Sequence, residues 1–115
     1  MTTLYGLKNC DTVKKARAWL EAEGVAYRFV DFKREPPTPA QLARWCAATG
    51  HEALVNRRGT TWRGLPRERQ AAAAEEAGAV AAMLAAPSLI RRPVLEHDGA
   101  VVVGFDAGDY ALRFA

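Results

Sequence analysis

The sequence predicts an α/β fold in which a four-stranded mixed sheet carries helices on both faces. Three observations lead to this prediction: a strand–helix–strand pattern at the start, an alanine-rich helical middle, and a β-hairpin followed by a short helix at the end. A length of 115 residues suits one domain. We therefore expect a single domain over residues 1–115, with a helical insert at about residues 38–86.

The first third of the chain changes its hydrophobic period twice. Residues 3–6 are a strand candidate, and from Asp11 onward apolar residues recur at helical spacing. Gly24 suits the left-handed position that follows a helix. Residues 27–32 are rich in aromatic side chains and predict a second strand. This pattern is typical of a βαβ unit, with parallel strands and a right-handed crossover.

The middle of the chain begins with a clear helix start. Thr38 and Gln41 have the spacing of a capping box, and Pro39 lies at the first helical position. The helix is expected to end at Gly50. Residues 56–63 follow neither the helical nor the strand period and are predicted to form an ordered loop.

The alanine-rich stretch that starts at Pro66 is predicted to be helical. Gly78 is expected to divide it into two helices, and Pro87 is expected to end the second one.

The last part of the chain predicts a hairpin and a closing helix. Residues 93–96 and 100–105 are strand candidates, and the Asp98-Gly99 pair between them is a strong turn signal. Residues 106–114 are expected to form a short helix. The resulting order, βαβ, helices, hairpin and helix, is that of a thioredoxin-like fold with a helical insert.

Composition excludes several function classes. The formal charge of +3 does not by itself indicate a nucleic-acid partner, and no apolar run approaches the ~20 residues that span a bilayer. With two histidines and two cysteines and no cluster of them, no metal site is expected. The first residues are typical of a strand rather than a signal peptide, so we expect a cytoplasmic location.

Cys10 is the strongest candidate for chemistry. It lies between a strand that ends in glycine and the predicted first turn of a helix, where free N–H groups and the helix dipole favour an anion. Lys8 and Lys14 add positive charge nearby. A cysteine in this position can be a reactive thiolate. The alternative, a small buried apolar residue, fits less well at the carboxyl end of a parallel strand.

Cys46 has a different setting. It shares a predicted helix face with Leu42 and Trp45, which favours a core cysteine over a resolving thiol. No CxxC motif occurs, because Cys10 is followed by Asp11, Thr12 and Val13.

Arg92 and Pro93 open the first hairpin strand. A trans bond is the common state before proline, but in a thioredoxin-like order a cis proline here would face the cysteine and turn the preceding backbone towards it. Arg92 could then offer its guanidinium to an oxyanion or a carboxylate.

A second group of anion-binding candidates, Arg57, Arg58 and Arg63, lies in the predicted loop, although a solvated basic loop fits these residues equally well.

Four segments resemble the ArsC/Spx/YffB family, the YffB branch most closely. They are YGLKNCDTVKKA at residues 5–16 and the stretches 56–63, 89–94 and 103–105. The resemblance covers essentially the whole chain. It implies a thioredoxin fold with Cys10 as the nucleophile, Arg92 as the residue that holds the oxyanion, and Pro93 as a cis proline. Lys8, Asn9, Pro93 and the three loop arginines are the expected substrate-binding residues.

The resemblance also implies a function. We expect a small thiol-dependent oxidoreductase with glutathione as co-substrate, glutaredoxin as a candidate partner and no tightly bound cofactor. Arsenate reductases of the family place three arginines around the thiolate, and only Arg92 corresponds cleanly; the first position falls near Asn56 and the third near Gly104, which is not basic. The alternative is a non-catalytic regulator similar to Spx that binds RNA polymerase, although the CxxC switch of that branch is absent.

Overall fold

The computed structural model describes every residue from 1 to 115. A single sheet has the strand order β2-β1-β3-β4, in which β1 and β2 are parallel and the other two pairs are antiparallel. The predicted four-stranded mixed sheet is therefore confirmed. Its strands are β1 (Thr2–Gly6), β2 (Arg28–Asp31), β3 (Val94–His97) and β4 (Ala100–Val103).

The remaining elements are helical, and none of the helices is long and apolar enough to cross a membrane. They are α1 (Asp11–Ala22), α2 (Pro39–Thr49), α3 (His51–Leu54), α4 (Thr60–Arg63), α5 (Arg67–Ala72), α6 (Glu76–Ala85), a 3₁₀ turn (Pro87–Leu89) and α7 (Ala107–Arg113).

The chain divides into two compact units. One consists of residues 1–35 and 92–115, which contain the sheet together with α1 and α7. The other consists of residues 36–91, which contain the other helices and are slightly longer than the predicted insert. The single domain expected over residues 1–115 stays a prediction.

The core of the sheet-containing unit lies between the central strands and the two helices. Leu4, Leu20 and Tyr110 are completely buried there. The indole of Trp19 on α1 meets the ring of Tyr110 on α7 edge to face, with 5.6 Å between the ring centroids. Such edge-to-face contacts add to the stabilisation from apolar burial. They stabilise the packing of α1 against α7.

Strand register brings three segments to one edge of the sheet. Gly6 at the end of β1 pairs with Asp31 at the end of the parallel β2. Tyr5 pairs with Val94, so the start of the antiparallel β3 lies at the same edge. The loop after β1, the loop after β2 and the residues before β3 therefore meet where α/β sheets commonly bind ligands.

The capping box that predicted α2 is confirmed. The Thr38 hydroxyl accepts a hydrogen bond from the Gln41 N–H at 3.1 Å, and the Gln41 side chain accepts one from the Thr38 N–H at 2.9 Å. Two neighbouring predictions were wrong in part. The end of the predicted loop over 56–63 forms the short helix α4. Gly78 lies inside α6 rather than between two helices.

The position of Gly78 has a steric reason. A β-carbon built on it would lie 2.0 Å from the carbonyl oxygen of Ala72. Glycine is thus required where α6 passes the end of α5, and the chain breaks instead at residues 73–75. Sequence alone does not distinguish a glycine that ends a helix from one that permits close packing.

Candidate active site

Cys10 is the N-cap residue of α1. Its backbone is extended, with φ −85° and ψ 127°, and its N–H donates to the Leu7 carbonyl at 3.1 Å. The preceding strand approaches the helix very closely: a β-carbon on Gly6 would lie 2.7 Å from a methyl carbon of Val13. The glycine therefore permits the tight strand-to-helix turn that carries the cysteine.

The surroundings of Cys10 favour the thiolate. Burial raises the pKa of the thiol, but the Val13 N–H, a hydrogen bond with Arg92, the Thr12 N–H and the Arg92 charge together lower it below its ordinary value. The Cys10 side chain makes no capping hydrogen bond of the ordinary geometry, since sulfur is a weak acceptor. The charged sulfur draws more strongly on the same N–H groups and on the helix dipole.

Arg92 contacts Cys10 from a segment that is distant in the sequence. It lies just before β3, and the Arg92–Pro93 peptide bond is cis. Pro93 is buried, and its carbonyl accepts the N–H of Gly104 at 2.8 Å, which holds the segment against the end of β4. The guanidinium is half-buried and next to the sulfur. It can therefore stabilise the thiolate and an anionic group that approaches it.

A cleft of about 380 Å³ opens beside the sulfur. Predicted site residues Lys8, Asn9, Cys10 and Arg92 all line it. Three of its wall residues were not predicted: Leu7, Asp31 and Lys33. The carboxyl ends of two parallel strands meet at one edge of a sheet, and this rule points to the last two of these residues, because Asp31 ends the second strand and Lys33 follows it. We call this space the Cys10 cleft.

The basic residues of the predicted loop lie in the other unit, residues 36–91. The Arg57 guanidinium stacks on the Trp62 ring at 5.2 Å from its centroid. Arg63 donates to the carbonyl of Arg58 at 2.9 Å. Two of the three side chains thus shape their own segment, and their role as substrate-binding residues stays a prediction.

Cys46 has none of the features of Cys10. It is buried on α2, and burial, followed by the charge of Glu76, raises the pKa of its thiol. Both cysteines are free in the structure. The packing is that of a core cysteine.

Comparison with known proteins agrees with this architecture. The family model described as the ArsC family matches residues 5–112. An uncharacterized protein of Haemophilus influenzae is 36% identical over 115 residues, with both chains covered completely. The global transcriptional regulator Spx of Listeria innocua is 26% identical over 116 residues, which cover 99% of this chain and 86% of Spx.

Solved structures give the same result. The YffB protein (PA3664) is 47% identical with a TM-score of 0.96, and all of both chains is covered. An arsenate reductase (ArsC) related protein from Brucella melitensis is 46% identical with a TM-score of 0.77, over 98% of this chain and 93% of that one. The predicted resemblance is confirmed, and since the family model spans nearly its full length, this chain belongs to the ArsC family.

Proposed function

We propose that this protein is a small thiol-dependent oxidoreductase in which the Cys10 thiolate attacks a disulfide and glutathione resolves the adduct. The observation that carries the proposal is the position of Cys10, at the N-terminus of a helix and hydrogen-bonded to Arg92, with a lowered pKa. Membership of the ArsC family supports it. The chemistry suits a reducing compartment that contains glutathione, such as the cytoplasm.

The reaction takes two thiol–disulfide exchanges. In the first, the Cys10 sulfur bonds to one sulfur of the substrate disulfide, and the other sulfur leaves as a thiolate with the electron pair. In the second, a glutathione thiolate attacks the substrate-derived sulfur of this adduct, and Cys10 leaves as the thiolate. After both exchanges one half of the substrate disulfide has been released as a thiol, and the other half has become a mixed disulfide with glutathione; a second thiol is needed to reduce that mixed disulfide. Glutaredoxin is a candidate for reducing that product.

Arg92 serves both exchanges because it stabilises the thiolate form of Cys10, which attacks in the first and leaves in the second. Pro93 sets the backbone of Arg92 beside the cleft, and Lys8 and Asn9 are the candidates for contact with the rest of the substrate. These roles need one fixed cation next to the sulfur.

Arsenate would make heavier demands on the same site. A tetrahedral oxyanion next to a thiolate brings two anions together, and stabilising them needs several fixed cationic donors. Arg92 is fixed beside the sulfur, whereas Lys8 and Lys33 are exposed lysines on the cleft wall, and Gly104 follows β4 where the resemblance would place a third arginine. A disulfide is therefore the better-suited substrate.

The proposal is tested by mass spectrometry after treatment with oxidised glutathione. The wild-type protein is expected to gain one glutathione, located at Cys10 by peptide mapping. The Cys10→Ser variant should gain none there, and a Cys46→Ser variant should behave as the wild type. The proposal would be refuted if Cys10 stayed unmodified under conditions in which oxidised glutathione modifies a small free thiol.

A second assay separates the two substrate classes. Steady-state arsenate turnover with glutathione and glutaredoxin is measured next to disulfide exchange at Cys10. We expect disulfide exchange and little or no arsenate turnover. Robust arsenate reduction that depends on Cys10, with no glutathione adduct, would contradict this expectation. It would show that one fixed arginine is enough to stabilise arsenate beside the thiolate.

A second candidate function is a regulator that binds RNA polymerase. The similarity to proteins named Spx favours it. The sequence after Cys10 lacks the second cysteine of a CxxC switch, so binding of this kind would not depend on the thiol. Retention of RNA polymerase by both the wild-type protein and Cys10→Ser would support this candidate.

A further inference from the structure

A second cleft adjoins the Cys10 cleft. Its volume is about 700 Å³, and its walls are formed by Lys8, Arg17, Phe29, Asp31, Arg34 and Glu35. Lys8 and Asp31 line both clefts. A molecule bound with its sulfur at Cys10 could thus extend directly into this space, which we call the Arg17 cleft.

Arg17 is held in one orientation. Its guanidinium carbon lies 4.2 Å from the centroid of the Phe29 ring, a cation–π contact. Its Nε donates to the Tyr27 hydroxyl at 3.0 Å, and that hydroxyl donates to Glu21 at 2.6 Å. The single hydrogen bond of Arg17 therefore uses Nε, and the two terminal amino groups remain available in a fixed plane. Two such groups match the two oxygens of a carboxylate.

The charges around the cleft have both signs. Lys8 and Arg34 are exposed and form no ion pair. On the acidic side, Asp31 accepts the Lys33 N–H at 2.9 Å with one oxygen. Glu35 pairs with an arginine of β2 at 3.3 Å. Because cations outnumber carboxylates on its walls, the cleft favours an anionic group. The carboxylates beside those cations can bind an ammonium group that neighbours the anion.

We propose that the Arg17 cleft binds the zwitterionic α-amino acid end of a γ-glutamyl thiol, with Arg17 as the principal carboxylate ligand. This inference rests on the proposed function, because it takes the rest of the molecule to extend from the sulfur at Cys10. The α-carboxylate lies against the terminal amino groups of Arg17, supported by Arg34 or Lys8. The α-ammonium faces Asp31 and Glu35. Tyr27 is a positioning residue, since it acts on the ligand only through Arg17.

Calorimetric binding of two unreactive probes tests the proposal. S-methylglutathione carries the γ-glutamyl group, and S-methylcysteinylglycine lacks it. Neither can react with Cys10, so the result is independent of the disulfide chemistry. For Arg17→Met, which keeps an apolar chain over Phe29, the Kd of S-methylglutathione is expected to rise about tenfold, the size of one lost charge-assisted pair. The Kd of S-methylcysteinylglycine should not change.

Two further variants make the test specific. Arg113→Met removes the same charge from α7, where Arg113 pairs with Asp109 and lines neither cleft, and should bind both probes as the wild type does. Arg17→Lys keeps the charge without the planar fork and should lose part of the affinity. The proposal is overturned if the wild type binds S-methylglutathione no better than S-methylcysteinylglycine, or if Arg17→Met weakens both probes equally or neither.

Discussion

At the scale of single residues, the site depends on a balance around the Cys10 sulfur. Burial acts against the thiolate, and the N–H groups of Val13 and Thr12 together with Arg92 act for it. The backbone donors are part of the helix and cannot be removed by side-chain substitution. Arg92 is the contribution that can be tested, since both its hydrogen bond and its charge favour the thiolate.

Replacing Arg92 with Met is expected to raise the pKa of Cys10. The thiolate is the reactive form, so the alkylation rate of Cys10 should rise with pH over a higher range than in the wild type. Iodoacetamide labelling followed by peptide mass spectrometry measures this rate. Arg91→Met is the matched control, because Arg91 donates to the Ala53 carbonyl instead. Equal midpoints for Arg92→Met and the wild type would contradict the role given to Arg92.

Residues next to each other in sequence were the predictable ones. Lys8, Asn9 and Cys10 belong to one strand-to-helix turn. Arg92 could be predicted because the proline that follows it marks the start of the hairpin. Asp31 and Lys33 were missed because their place in the cleft depends on the register of β2 against β1. Arg17 was missed for a related reason: one turn of α1 must be placed over β2 before its guanidinium meets Phe29.

At the scale of elements, patterns with a local cause predicted the structure well. The capping box started α2 at Pro39 as expected, and the Asp98-Gly99 turn joins β3 to β4 with both residues at positive φ. The prediction for Gly78 was wrong because this glycine is required by the close packing of α6 against the end of α5 and does not end a helix. Nothing in the residues around it reveals that the end of α5 lies against it.

The Gly78→Ala substitution tests that explanation. The added methyl group would overlap the Ala72 carbonyl, a backbone group that cannot rotate away, so a loss of roughly 2–3 kcal/mol in unfolding free energy is expected. Urea denaturation followed by circular dichroism measures it. At Gly64 the same change meets only ordinary contact, at 3.4 Å from the Thr60 carbonyl, and should alter stability by no more than about 0.5 kcal/mol. Similar losses at the two positions would argue against the packing explanation.

At the scale of the whole molecule, the two cysteines divide between the two units. Cys10 belongs to the unit with the sheet and Cys46 to the helical unit of residues 36–91. Since the pKa of Cys46 is raised by burial and by Glu76, its thiol is a poor nucleophile at neutral pH. This setting of Cys46 supports the proposed mechanism, in which Cys10 acts with an external thiol.

An oxidised sample is accordingly expected to contain no bridge between Cys10 and Cys46. Non-reducing peptide mapping after diamide treatment measures this, with glutathione present in one sample and absent in the other. Disulfide exchange by Cys46→Ser should equal that of the wild type. A Cys10–Cys46 peptide in the map, together with slower exchange by Cys46→Ser, would require a two-cysteine mechanism.

The central claim is that Cys10 is an activated thiolate, and the pH dependence of its alkylation tests this most directly. Deprotonation makes the thiol reactive, so a lowered pKa moves the rise in rate to lower pH. The wild-type protein should reach half of its maximal rate at a pH below the value of about 8.5 for a free cysteine, and denatured protein should return to that value. A native midpoint at or above that of the denatured protein would contradict the account.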